Sequence, residues 1–551
     1  MMSSIFKKIL PILILSIVII LVFTDLTKTF YQQDEWYGLG LTIAKGVNST
    51  FSGVSSPLDF LFVKGRIFSN LIYYLFASNF PLQNVQMATF AIALHMAATF
   101  LVFVLIKRFI QNSIFALIGA LFFAVNAVSH QAVTWPFISM SVITSSILVL
   151  IGITFFLRYL RNLQTKWLFL AEVMIYISLW FKETGLYMFL FLPLVALLFK
   201  KYSVSSFFRT FWISILAFLL ITGYRVMELK LRTTTSNLYI TGLNENFFPM
   251  ILLRMIFYPL TSFSLMFVPG DYFLSFARFV MILVYPFLSY AGNNLLIAQT
   301  VVLDLLAVIL TVLLLLSIYI FLRKERLFQR KIVIFWLSFS FAGFLPYVLL
   351  SKDFSYLEPR YYYLSVVGGA FLLSWFLKRL WEIFGSRIFY LIVLPLCIFY
   401  LMFHASVVHS AIIEQVRLSN LRQDFIMQLK TLVPTLDNKK NIFYITSDLN
   451  YWDDGNKIPF QQGSGYTIMV LFYESGRIPK EFLQAQGSSG EGFLFGIGSQ
   501  GYMEKDGYGF GYFWDEELLN ETINKYNLTA NSVIKLQYNS KERELIKIRD
   551  D

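Results

Sequence analysis

The run ILPILILSIVIILVF at residues 9–23, followed after a short polar spacer by Tyr31-Gln32-Gln33-Asp34-Glu35-Trp36-Tyr37, decides how this chain is read. With its flanks, the apolar run is long enough to cross a bilayer. Lys7 and Lys8 precede it, so the positive-inside rule puts the N-terminus in the cytoplasm and delivers Asp34 and Glu35 to the outer face. The segment Thr24-Asp25-Leu26-Thr27-Lys28 offers no small-residue cleavage site, which makes the run an uncleaved anchor. Two adjacent carboxylates among aromatics at a membrane face are either a hydrated acidic loop or part of a site. The rest of the chain bears on that choice.

Of 551 residues, 57% are hydrophobic and 14% charged, against about a quarter charged in soluble domains. Apolar runs recur at 9–25, 84–106, 113–129, 137–157, 167–181, 185–199, 206–223, 250–268, 273–291, 297–322, 332–350, 361–377 and 386–403, about thirteen in all. The expected fold class is therefore a polytopic all-α membrane protein of 11–13 transmembrane helices. The net charge of +12 does not point to nucleic acid, because it belongs to the membrane part. Residues 1–403 hold 30 Lys/Arg against 14 Asp/Glu, whereas 404–551 hold 15 against 19. Basic flanks such as Lys107/Arg108, Lys200/Lys201 and Lys378/Arg379 fall on one side, the cytoplasmic one. The opposite loops are 26–83, 130–136, 182–184, 224–249, 351–360 and the tail. The pair of runs at 250–291 has no basic flank and suits a re-entrant or interfacial hairpin; without it the number of spans stays odd.

In the first outer loop, 26–83, the half from Pro57 to Phe80 is apolar but punctuated by Asp59, Lys64, Arg66 and Asn70, as an interfacial helix would be. Residues 1–403 are expected to form the membrane domain and 404–551 a small extracytoplasmic α/β domain. In the latter, Asn441–Ile445 reads as a buried strand, Asp448–Asn450 as a turn, Asp515–Tyr526 as a helix and Val533–Tyr538 as a strand. The only cysteine, Cys397, lies in an apolar run, so disulfides within the chain and Cys-type zinc sites are excluded.

Several separated segments carry a resemblance. They are Asp34-Glu35, Gly65-Arg66, Ala91–His95, Ala124–Trp135, Lys182-Glu183-Thr184-Gly185, Phe335-Trp336 to Leu345-Pro346, and Glu358-Pro359-Arg360-Tyr361-Tyr362-Tyr363-Leu364. Their order and shared outer-face position over residues 1–380 resemble the GT-C membrane glycosyltransferases, especially the protein O-mannosyltransferases and their transmembrane/tetratricopeptide relatives. The chain departs from that pattern at Asn126-Ala127, where the family has His-Pro, at Gln131, where it has Glu, and in lacking tetratricopeptide repeats.

The resemblance implies a polyprenyl-phosphate-linked sugar as donor, a protein hydroxyl, glycan or glycolipid as acceptor, and membrane lipids as surroundings. Transfer from a sugar phosphate needs a base for the acceptor proton and cations for the departing phosphate. That leaving group is already acidic, so the acid partner of glycoside hydrolysis is not required. Asp34 is the expected base, with Glu35 second; such a base is worth typically about 10²–10⁴-fold. Arg66, Lys182 and Arg360 end three different spans and are the expected phosphate ligands. Glu183 is expected to orient Lys182, with His130 and Tyr361 in support, and His95 to bond between helices. No metal site is expected, since Asp448, Asp453 and Asp454 match no calcium-loop spacing, and no cofactor is assigned. The alternative class is a transporter or lipid flippase, but such proteins show related halves and mid-membrane ionisable residues. The expected location is the plasma (inner) membrane, with the tail outside.

This topology predicts that a cysteine at Ser489, in a chain whose Cys397 has been replaced by serine, reacts with an impermeant maleimide in intact cells. Protection there, with labelling only after lysis, would reverse the orientation.

Overall fold

The computed structural model describes residues 2–32, 34–200, 202–231, 247–284, 293–348, 357–448, 463–484, 494 and 499–548. Asp453, Asp454 and Ser489, and parts of the expected outer loops 224–249 and 351–360, lie outside the described residues. The chain divides into two compact units. A helical unit comprises residues 1–24, 53–69 and 89–411, and a sheet unit comprises 25–52, 70–88 and 412–551. The first outer loop is thus shared between them, and the expected boundary after residue 403 falls inside the helix Leu394–Leu432.

Among the described residues, seven helical segments are long and apolar enough to cross a membrane: Ile9–Lys28, Asn84–Ile110, Pro136–Asn162, Val204–Met227, Thr300–Leu322, Leu327–Tyr347 and Pro359–Leu432. Ser113–Ala124, Glu183–Phe199, Pro249–Leu265 and Tyr272–Leu283 are shorter apolar helices. Together with Thr165–Leu179 they carry the apolar runs of the sequence. The chain is therefore mostly α-helical and polytopic in type. The helix Thr300–Leu322 exposes Val301, Leu305, Ile309, Val312, Leu316 and Ile320. That is one stripe at helical spacing, and a contiguous apolar surface of this kind is not left to water.

Within the helical unit, the ends of helices are set by local chemistry. Asn112 caps Ser113–Ala124 by accepting from the amides of Ile114 and Phe115 at 2.9 and 3.4 Å. His95 bridges three helices: Nε2–H donates to the Ala124 carbonyl at 2.8 Å and Nδ1 accepts from the Tyr363 hydroxyl at 2.9 Å. This is the interhelical role expected of it. In Tyr363–Ile388 the helical path breaks at Gly385, whose φ of 75° only glycine adopts without cost. A π-helical turn, Phe389–Val393, follows before Leu394–Leu432. That break separates the two apolar runs 361–377 and 386–403.

The segment expected as one interfacial helix is two. Ser56 and Asp59 form a capping box for Pro57–Leu61. A turn with positive φ at Val63, Gly65 and Arg66 follows (59°, 94° and 49°), and the second helix is Ile67–Asn79. The reason for the turn is Asp59. Its buried carboxylate accepts from the Ser55 amide and hydroxyl at 2.7 Å, from Tyr224 at 2.5 Å, and pairs with Lys64 at 3.2 Å. Burial alone would raise its pKa, but the bonds from Tyr224, Ser55 and Lys64 outweigh burial and hold it well below the usual carboxylate range.

The sheet unit holds a five-stranded mixed sheet. Its strands are β1 (Lys440–Ser447), β2 (Gly501–Lys505), β3 (Tyr508–Phe513), β4 (Val533–Asn539) and β5 (Glu544–Lys547), in the order β2-β3-β1-β4-β5. β1 is central and parallel to β3 and β4. It is covered on both faces, Ile442 packing with Leu519 and Leu528 and Phe443 with Phe472, which is why Ile442-Phe443-Tyr444-Ile445 reads as a continuous apolar run. Asp515 caps the helix Glu516–Tyr526. The sequence reading missed β2, β3 and β5. The signal for the β2–β3 hairpin is Asp506-Gly507, with φ of 53° and 79°, the two-residue turn that fits strand twist.

Also in this unit, the helix Asp34–Lys45 packs against Ser464–Leu471 and Lys480–Gln484. Gly40 makes this possible, because a Cβ there would lie 2.2 Å from the Tyr466 hydroxyl, itself bonded to the Leu483 carbonyl at 3.0 Å. Gly40→Ala is therefore expected to destabilise the full chain by about 1–3 kcal/mol through overpacking. Thermal unfolding should show the Gly40→Ala/Tyr466→Phe pair costing less than the sum of its singles; strict additivity would remove this contact as the cause.

Candidate functional site

The expected phosphate ligands come together in the helical unit. Phe68 N–H donates to the Trp180 carbonyl at 3.3 Å, and Trp180 stacks with Phe68 at 5.4 Å, which ties the 62–66 turn to the segment after Thr165–Leu179. Arg66 is thereby brought to Glu183 in a fork: Nε donates to Oε2 at 3.1 Å and Nη2 to Oε1 at 2.7 Å. The left-handed backbone of Arg66 is the strained conformation this approach requires. Glu183 thus pairs with Arg66, whereas the sequence reading gave it to Lys182.

Lys182 is fixed by its backbone, its amide donating to Ser178 O at 3.0 Å and its carbonyl accepting from Ser145 at 3.2 Å. Its side chain is buried, and Nζ sits 5.8 Å from the centre of the Tyr361 ring. Arg360, on the short 3₁₀ turn Pro359–Tyr362, lies over the Trp135 ring at 5.3 Å and the Tyr361 ring at 5.0 Å and pairs with Glu358. Tyr347 stacks on Tyr361 at 4.3 Å. Three cations drawn from residues 66, 182 and 360 therefore surround one aromatic patch, with two of them matched by glutamates. Burial, and then repulsion from Arg66, push the Lys182 ammonium down to about 7, against a smaller opposing pull from Glu183. Trp135, Tyr347 and Glu358 were not singled out from sequence. Trp135 and Glu358 lay inside quoted motifs, but nothing in their spacing says that they meet Arg360.

His130 bonds to the Ala127 carbonyl through Nδ1 at 2.7 Å, within its own turn. Asn126, at one departure from the family pattern, accepts from the Val128 and Ser129 amides at 3.0 Å and donates to Met266 O at 3.0 Å. There it shapes the turn that leads to Trp135.

The acidic pair belongs to the sheet unit. Asp34 opens the helix Asp34–Lys45 and is half-buried. Glu35 is 1% exposed; its Oε2 accepts from the Gln32 amide at 2.7 Å and its carbonyl accepts from the Tyr73 hydroxyl at 2.6 Å. The charge of the buried Arg422 acts on it. Burial first, and then neighbouring negative charge, raise the Tyr31 phenol, and burial does the same for Tyr73, so both are neutral near pH 7. Tyr31 and Phe30 pack edge-on to Trp36 at 5.8 and 5.9 Å. Glu35 is therefore an anchor for this helix start, and the carboxyl of Asp34 is the more accessible of the two. In the tail, Asp448 accepts from the Ser540 amide and hydroxyl at 2.9 and 3.0 Å, closing a turn.

The fold and these clusters define the chain as a mostly helical, polytopic protein with a basic, aromatic-lined centre. No protein-family model matches it, and no curated protein sequence does so either.

Because Glu183 lies beside Lys182, Glu183→Gln should make the ammonium harder to sustain and lower the Lys182 pKa below about 7. The ¹³C shift of reductively methylated Lys182, titrated in both proteins and assigned with Lys182→Arg, reads this directly. An unchanged or higher midpoint would contradict the electrostatic picture.

Proposed function

We propose that this chain is an integral-membrane glycosyltransferase of GT-C-like fold. It transfers a sugar from a polyprenyl-phosphate-linked donor to a hydroxyl of a protein, glycan or lipid acceptor on the outer membrane face, with inversion. The observation that carries this reading is the meeting of Arg66, Lys182 and Arg360 around Tyr361, with buried Lys182 left unmatched by a carboxylate. A phosphodiester leaving group needs such a cradle: Arg forks can grip its oxygens, and charge gathering on them is stabilised most in a water-poor site. Aromatic faces beside the cations suit the apolar carrier and the sugar.

Asp34 is the general base in this reading. The difference in exposure within the acidic pair supports it, since Glu35 is buried with its carboxylate on the Gln32 amide, whereas Asp34 is half-exposed at a helix start. The donor phosphate departs as a stable anion and the acceptor hydroxyl gives its proton to Asp34. No metal or cofactor is assigned to the reaction. The N-terminus is cytoplasmic in this topology, the tail and the site lie outside, and 11–13 helices span the plasma membrane.

Radiolabelled sugar transfer in membranes containing the chain, supplied with a panel of polyprenyl-phosphate sugars, tests the reading. Wild type should incorporate label from at least one donor, and Asp34→Asn should lower turnover about 10²–10⁴-fold while donor binding persists. Equal incorporation by both proteins would remove Asp34 from the chemistry, and no incorporation from any donor would favour transport instead.

A further inference from the structure

Among the described residues, Lys182 Nζ makes no hydrogen bond and no ion pair, although the side chain is only 5% exposed. Both nearby carboxylates are already engaged, Glu183 by both nitrogens of the Arg66 fork and Glu358 by Arg360. Among the described residues, Arg66 and Arg360 repel the ammonium, Glu183 and Glu358 attract it while serving other partners, and the Tyr361 ring lies beside it. A buried lysine flanked by two arginines, whose nearby carboxylates are engaged by those arginines, favours the neutral amine.

We infer that Lys182 couples ligand binding to proton uptake: a phosphodiester monoanion that enters beside Nζ, between the paired Arg66 and Arg360, draws one proton from solvent onto it. The inference rests on the proposed function for the identity of the ligand but not for the proton balance. The step balances as free amine plus H⁺ plus ligand anion giving an ammonium–phosphodiester pair, with no covalent change. Its direction follows from linkage, because a group that must be protonated in the complex and is neutral in the free protein makes affinity fall as pH rises. With the free ammonium near pH 7, the dissociation constant should rise about tenfold per pH unit above neutrality for as long as the bound ammonium stays protonated. Below neutrality it should level off. The pairing would also act as a gate on charge: a neutral lipid or glycan cannot recharge Lys182.

A phosphodiester could come from the proposed donor or from a phospholipid headgroup, and the two sources are separable. Farnesyl phosphomannose and dihexanoyl phosphatidylglycerol do not titrate near neutrality. Each is titrated into the full chain in dodecyl maltoside, by calorimetry at pH 8.5 in buffers of different ionisation enthalpy. Wild type should take up close to one proton per bound farnesyl phosphomannose, and Lys182→Gln and Lys182→Arg should take up none, with Lys182→Arg keeping pH-independent binding. Binding by wild type without proton uptake, or uptake that survives in Lys182→Gln, overturns the inference while leaving the transferase reading intact. Proton uptake by wild type in proteins that transfer no sugar has the opposite meaning. Equal uptake with phosphatidylglycerol assigns the site to headgroups, and absence of binding by either probe overturns the anion site altogether.

Discussion

A charge taken out of water destabilises a fold by several kcal/mol unless an opposite charge or a set of hydrogen bonds meets it. This chain meets that demand repeatedly. Asp59 is buried and surrounded by Ser55, Tyr224 and Lys64, and the turn it organises gives Arg66 its left-handed backbone. Glu35 is buried and met by the Gln32 amide and by the charge of Arg422, and the helix that begins beside it presents Asp34. Glu172, inside an apolar helix, receives the Ser214 hydroxyl. Lys182 departs from this habit: among the described residues its ammonium meets an aromatic ring, while the nearby carboxylates of Glu183 and Glu358 are engaged by Arg66 and Arg360.

The aromatic residues around that place have a second effect. Trp135, Tyr347 and Tyr361 offer their faces to cations without neutralising them. A carboxylate in their position would neutralise Arg360, whereas a ring steadies it and leaves its charge in place. Glu183 and Glu358 hold the arginines in orientation, and among the described residues the lysine has no carboxylate of its own. Geometry and charge are in this way assigned to different residues.

Hydrophobic length made the helices legible in the sequence. A run such as 297–322 can be little else, and its exposed apolar stripe follows from the same residues. The central strand and the capped helix of the tail were legible for similar reasons, strong local pattern and a clear start signal. The hairpin at 501–513 was overlooked because glycine and tyrosine hide the alternation of a strand, although Asp506-Gly507 marks its turn. Residues 57–80 read as one helix because the turn depends on the burial of Asp59, to which distant Tyr224 contributes along with local Ser55 and Lys64. The cationic cluster was legible as a list of residues and not as an arrangement. That Glu183 serves Arg66 and leaves Lys182 unmatched is a matter of tertiary geometry, which spacing along the chain does not encode.

The helix Asp34–Lys45 shares a compact unit with residues near the C-terminus, and Gly40 sits against Tyr466. During synthesis the acidic helix leaves the ribosome long before its packing partner exists. At roughly 5–20 residues per second, the interval between Tyr37 and Tyr466 is on the order of 20–90 s. For that time the segment carrying Asp34 and Glu35 has no tail to fold upon, so this unit is completed only once the chain is nearly finished. A nascent or truncated product with every apolar helix in place would still lack the support for its acidic pair. Maturation of this region is thereby tied to synthesis of residues 412–551.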